Sequence, residues 1–289
     1  MSAEHHIRNP FEYALEQLSS AVSDLEAYAT RPHPWAHSAP VTVRRLEARD
    51  VWDALRKGMG DLGAVRVDVL FIGIVYPVAG LLLAMLAFSY NLLPLVVPMI
   101  TGFALIGPIA AVGLYEISRR REQGRAVDWT TAFGVVRSPA LLSILGLGCA
   151  LLALFFMWLA AAYLIYAATL GPQPPTSITG FIRDVTQTPM GWAMAVIGVG
   201  VGFLFAATAF AVSVVSIPLL LDRGGGIDRA MATSVRVVRA NPGPMSLWAV
   251  IVVGGLILGS LPALAGLIVV VPVLGHATWH LYRKAVTDA

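Results

Sequence analysis

Long stretches of the chain carry only apolar and small uncharged residues. No Asp, Glu, Lys or Arg occurs from 138 to 182, from 185 to 221 or from 240 to 282. A water-soluble helix needs a polar face, whereas a helix that crosses a bilayer needs roughly 20 apolar residues. The pattern therefore predicts an all-α, polytopic membrane protein.

The apolar runs and their breaks predict six membrane-spanning helices. The predicted spans lie near 67–88, 92–115, 140–169, 190–221, 245–260 and 262–282. A short Ser-Tyr-Asn turn separates the first two spans, a proline-rich loop separates the third and fourth, and a Gly-Ser-Leu-Pro turn separates the last two. Gly and Pro at such positions end one helix and begin the next.

Basic residues lie almost entirely on one side of these spans. They cluster before span one, between spans two and three, between spans four and five, and after span six, while the opposite loops contain only Arg183. This positive-inside pattern predicts that both termini face the cytoplasm. Seven of these residues are candidates to bind lipid headgroups: Arg56, Lys57, Arg125, Arg137, Arg229, Arg236 and Arg239.

The cytoplasmic segments resemble one another and predict a threefold repeat. In the first, Val51, Leu55, Met59 and Leu62 form an apolar stripe at helical spacing. The same offsets are apolar from Ile227 and match less completely from Val127, where Thr131 and Ser138 are polar. The seventh residue after each start is small: Gly58, Gly134 or Ser234. Each even-numbered span also carries a proline near its cytoplasmic end. The sequence therefore predicts three helical hairpins, each preceded by an amphipathic helix in the cytoplasmic interface.

Residues 1–50 form a polar cytoplasmic segment ahead of a membrane domain at 51–289. An Asn-Pro-Phe-Glu start predicts one amphipathic helix near 10–29, followed by a linker. The helix has about two heptads of apolar seam, too few for independent stability. We expect it to bind the protein's own cytoplasmic face, a second copy of the chain or another membrane protein, and we expect no nucleic-acid partner.

The most specific polar feature lies at the end of span six. His276 and His280 are four residues apart and share one helix face. Two imidazoles at this spacing can bind a transition metal or a haem, with Glu116 and Asp222 as the nearest candidates for further ligands. The other interpretation is that the two histidines are polar anchors at the membrane interface. On balance, we expect the protein to have no resident cofactor.

Charged groups are missing from the predicted bilayer centre, and no hydrolase motif is present. Ion-coupled transporters place ionisable groups at depth, so their absence disfavours that class of protein. There is no Gly-x-Ser-x-Gly elbow and no His-Glu-x-x-His sequence. We therefore expect no catalytic residues.

Three segments resemble a family of predicted bacterial integral membrane proteins of unknown function. They are Val215–Arg223, Ala240–Pro242 and Gly275–Arg283. The resemblance extends from about residue 40 to the end and implies a six-span protein of the bacterial inner membrane. Some family members are labelled as candidate subunits of cytochrome c oxidase. A catalytic oxidase subunit needs histidines on several helices, whereas here both intramembrane histidines lie on one, so only an accessory or assembly role fits.

The favoured interpretation is a non-enzymatic scaffold, assembly or lipid-associated protein. Two alternatives stay open: a channel or transporter for a neutral or apolar solute, and a metal- or haem-binding accessory protein of a respiratory complex that uses His276 and His280.

Overall fold

The computed structural model describes residues 41–64, 78, 80–82, 85, 92–103, 107–127, 135, 138–262 and 264–288. All of them belong to one compact unit, Ala39–Ala289. Most of span one, most of the second repeat segment, the N-terminal helix near 10–29, and Arg137 lie outside the described residues.

The described chain is almost entirely helical. It begins with β1 (Val41–Val43) and α1 (Ala48–Ala64), and a short 3-10 turn (Leu93–Leu95) precedes α2 (Val96–Phe103), α3 (Gly107–Ala110) and α4 (Val112–Glu122). Then follow α5 (Leu141–Thr169), α6 (Ile178–Gln187), α7 (Pro189–Ser213), α8 (Ser216–Arg223), α9 (Ile227–Ala240), α10 (Pro242–Ser260), α11 (Leu267–Ala285) and β2 (Val286–Asp288). The all-α prediction therefore fits, with one small addition: β1 and β2 pair antiparallel, Thr42 opposite Thr287.

Three helical stretches of the described chain are long and apolar enough to cross a membrane. They are Leu141–Thr169, Pro189–Arg223 and Pro242–Ser260, which correspond to predicted spans three, four and five. The remaining spans are not confirmed. Within span two, a turn at Ala111, three residues after Pro108, separates α3 from α4. Helix α11 begins only at Leu267, after turns in which Leu264 has a positive φ of 67°.

The core is concentrated at one end of the helix bundle. Its main cluster combines α1, α4, α8 and α9 with the first turns of α5 and α10 and the last turns of α11. Trp248, Trp279 and Tyr282 are its largest fully buried side chains. Towards the other end, apolar residues such as Val199, Val253 and Leu261 are exposed. Apolar surface of this extent is typical of helices that face lipid.

An additional amphipathic helix lies between α5 and α7, where the sequence predicted only a loop. Its N-cap Ser177 accepts a hydrogen bond from the Gly180 N–H, and Thr188 caps α7 in the same way from Gly191. Ile178 and Ile182 of this α6 helix are exposed. The helix thus presents an apolar face at the end of the bundle remote from the main core.

Candidate functional site

A buried carboxylate joins three helices at the core end of the bundle. Asp61, near the end of α1, accepts hydrogen bonds from the Ser118 hydroxyl (2.6 Å) and Arg121 Nη1 (2.8 Å) of α4. It also accepts from His280 Nε2 of α11 (2.9 Å), while His276 Nδ1 lies 2.7 Å from Ser118 Oγ. We call these five residues the Asp61 cluster.

The available protons determine the hydrogen-bond directions within the Asp61 cluster. A carboxylate only accepts, so the Ser118 hydroxyl and His280 Nε2–H must both donate to Asp61. Because Ser118 has a single hydrogen, its oxygen accepts from His276 Nδ1–H. Nε2 of a neutral His276 then holds a lone pair, and this fully buried atom has no hydrogen-bond partner among the described residues. The cluster thus contains one Asp61–Arg121 ion pair beside the two histidines.

The charge of Asp61 is maintained by its neighbours. Burial by itself raises the pKa of this carboxyl, but the hydrogen bonds that His280 and Ser118 donate to it act in the opposite direction, and the pKa lies below its usual range. Asp61 therefore stays ionised at neutral pH and holds its donors in place.

The position of α1 is set by close packing as well as by charge. A Cβ added to Gly58 would lie 2.6 Å from the Ala277 nitrogen and 2.8 Å from the Val273 oxygen. Only glycine allows the backbones of α1 and α11 to approach so closely. About one to two turns closer to the N-terminus of α1 than Gly58, Lys284 of α11 bonds Asp50 (3.1 Å) and Asp53 (2.9 Å). The two helices are thus held at both ends of their contact.

Glu116 and Asp222, the candidates for further metal ligands, accept hydrogen bonds from groups other than His276 and His280. Glu116 accepts from Arg119 Nε (2.8 Å) and Arg120 Nε (2.7 Å) on its own helix. Asp222 accepts from the Tyr282 hydroxyl (2.7 Å) and from Arg283 (3.2 Å). Glu116 is thus bonded by arginines of its own helix and Asp222 by donors of α11, and the carboxylate that contacts the histidines is Asp61.

Metal or haem binding at His276 and His280 stays a prediction. Across the residues that the structure describes, no three His, Cys, Asp or Glu side chains are arranged to hold a metal ion. Their hydrogen bonds instead tie the partly buried His280 to Asp61 and the buried His276 to Ser118. Metal analysis and a visible spectrum of the purified protein would test metal or haem binding.

Asp61 was missed by sequence reasoning, although one signal was present. The buried face of α1 is formed by Val51, Ala54, Gly58 and Asp61. Leu55 and Leu62 of the predicted stripe are only partly buried, and Met59 is exposed. The signal available in the sequence was the spacing: Asp61 follows Gly58 by three positions, which places both on the same helix face.

Six of the seven basic residues predicted to bind headgroups are among the described residues, and these six lie at the surface. Arg56 and Lys57 are exposed on α1, and Arg125 is exposed after α4. Arg229, Arg236 and Arg239 are exposed on α9. Their exposure makes contact with lipid headgroups sterically feasible and leaves that contact a prediction.

Long apolar helices with exposed apolar surface define the class of this chain as an integral membrane protein. Residues 95–222 match the model of a family described as predicted integral membrane protein (DUF2189). This match confirms the resemblance to such a family over those residues, and it states no activity and no link to cytochrome oxidase. No match was found among curated proteins or among solved structures.

Proposed function

We propose that the chain is a six-span protein of the bacterial inner membrane that acts as a non-enzymatic, lipid-associated scaffold. Both termini face the cytoplasm, and the Asp61 cluster lies at the cytoplasmic end of the bundle. Amphipathic helices at that end rest in the headgroup layer and present basic side chains to anionic lipid or to a membrane-protein partner.

The surface of α1 is the observation that carries this proposal. Beside its buried face runs an apolar flank on which Trp52 is 55% and Met59 is 52% exposed. Beyond that flank lie the exposed Arg56, Lys57 and Gly60. A helix with a protein-facing side, an uncovered apolar side and a basic side fits the membrane interface, where Trp is enriched.

Equivalent contacts of α1 and α9 support the threefold repeat. Gly58 of α1 packs on Val273 and Ala277 of α11. Ser234, at the same offset in α9, accepts a hydrogen bond from the Val215 N–H at the junction of α7 and α8 (3.2 Å). In each case the small residue of an interfacial helix contacts the last span of another unit, as a closed arrangement of three hairpins requires.

Lipid retention tests the proposal. We expect full-length protein, purified from its native membrane in mild detergent, to retain at least one anionic phospholipid or one protein partner per chain, measured by quantitative mass spectrometry. The Met59→Asn variant should retain less because it weakens the apolar flank. Gly60→Asn is the matched control, because a Cβ at Gly60 meets no atom within 4 Å. A lipid-free monomer that conducts solutes in liposomes would contradict the proposal and favour a channel.

A further inference from the structure

An open groove of about 600 Å³ lies between β1 and α9. It is lined by Val41, Thr42, Val43, Arg236, Arg239 and Ala240. The proposed scaffold function assigns basic residues to lipid in general, whereas this groove combines two of them with apolar and backbone groups in one concave surface. We propose that the groove binds the phosphate of an anionic lipid headgroup, an inference that rests on the proposed function.

The two arginines carry charge that no carboxylate within the described part of the chain neutralises. Arg236 and Arg239 are three residues apart on α9, so their side chains share one side of the helix. Arg236 Nη2 donates to Thr233 Oγ1 (3.0 Å), and neither guanidinium forms an ion pair with a described residue. Arg121 and Arg283, in contrast, are paired with Asp61 and Glu122. Two unpaired guanidinium groups side by side favour a phosphate ligand.

The strand adds donors and an apolar wall. Arg44 N–H donates to the Ala285 oxygen, and Thr42 lies opposite Thr287. In an antiparallel ladder with this register, the N–H groups of Val41 and Val43 point away from β2. Both residues line the groove, and their side chains suit the glycerol and first methylene groups of a lipid better than a free phosphate ion.

Asn241 holds the two walls together. Its side-chain oxygen accepts from the Leu46 N–H (2.6 Å), and its amide nitrogen donates to the Arg44 oxygen (3.1 Å). Asn241 is buried at the junction of α9 and α10, and Pro242 begins the apolar α10 helix. The groove is therefore preformed and lies where a membrane span starts, which is the depth of the lipid phosphates.

The test compares two charge-matched double variants of the full-length protein in detergent. We expect dioctanoyl phosphatidylglycerol to raise the unfolding temperature of the unmodified protein, and Arg236→Gln/Arg239→Gln to weaken its apparent affinity roughly 10- to 30-fold. Arg49→Gln/Arg183→Gln removes the same charge at two exposed residues outside the groove and should keep the affinity within about threefold. Phosphatidylcholine and inorganic phosphate at equal concentration should have little effect.

Each other outcome has a distinct meaning. Equal weakening in both double variants would overturn the groove and leave a diffuse basic surface, so the proposed function would survive. Equal stabilisation by inorganic phosphate would show a free-anion site and overturn the lipid assignment. No response of the unmodified protein to any lipid, together with a lipid-free native preparation, would overturn both proposals.

Discussion

Replacing Gly58 by alanine is expected to destabilise the protein by about 1–3 kcal/mol, because the new methyl group would overpack the contact of α1 with α11. The added carbon would lie 2.7 Å from the Ala277 Cβ and closer still to its backbone nitrogen. Backbone atoms cannot move aside as a side chain can, so α1 must shift. A fall of several degrees in the unfolding temperature of the detergent-purified protein would measure the effect.

Gly60→Ala is the matched control for that prediction. Gly60 is on the same helix, and a Cβ there meets no atom within 4 Å. Alanine has the higher helix propensity, so this variant should be unchanged or more stable by about 0.5–1 kcal/mol. Equal behaviour of the two variants would show that α1 does not pack closely on α11.

Removing the Asp61 carboxylate should have the largest effect of any single polar substitution, about 3 kcal/mol or more for Asp61→Ala. The change leaves Arg121, His280 and Ser118 without their shared acceptor inside the protein. Donors without an acceptor are costly when they are buried, as Ser118 is, and the partly exposed Arg121 loses its ion pair. The unfolding temperature in detergent, with expression level as a second readout, would report the loss.

Two further variants separate the charge of Asp61 from its shape. Asp61→Asn keeps an oxygen that can accept from His280 or Ser118 but gives up the charge beside Arg121, so its loss should be intermediate. Glu47→Gln changes an acidic residue whose side chain is 64% exposed and should have little effect. If Asp61→Ala were as stable as Glu47→Gln, the Asp61 cluster would not hold the three helices together.

Apolar runs were sufficient to predict the long helices. The predictions 140–169, 190–221 and 245–260 agree within a few residues with Leu141–Thr169, Pro189–Arg223 and Pro242–Ser260. A segment in lipid must satisfy its backbone hydrogen bonds internally, so a long apolar run leaves the helix as the available structure.

The contacts that build the site could not be predicted in the same way. Asp61, Ser118 and His276 meet only after distant segments have folded together, and no local periodicity encodes their pairing. The predicted stripe through Met59 follows the large apolar residues of α1. The face that is buried instead carries small residues at Ala54 and Gly58, which allow a close helix contact. Amphipathic α6 was missed because the proline-rich sequence before it predicted a loop throughout.

Cysteine labelling from each side of the membrane tests the central claim, a six-span arrangement with the polar end in the cytoplasm. Cys149 is first replaced by serine, and single cysteines are then introduced at five positions: Ser89, Thr176 and Leu261 on the predicted outer side, and Gly60 and Ala232 on the cytoplasmic side. In intact spheroplasts, a membrane-impermeant maleimide should label only the three outer positions, with the other two labelled after permeabilisation. Labelling of Gly60→Cys or Ala232→Cys in intact spheroplasts, or protection of any outer position, would contradict the account.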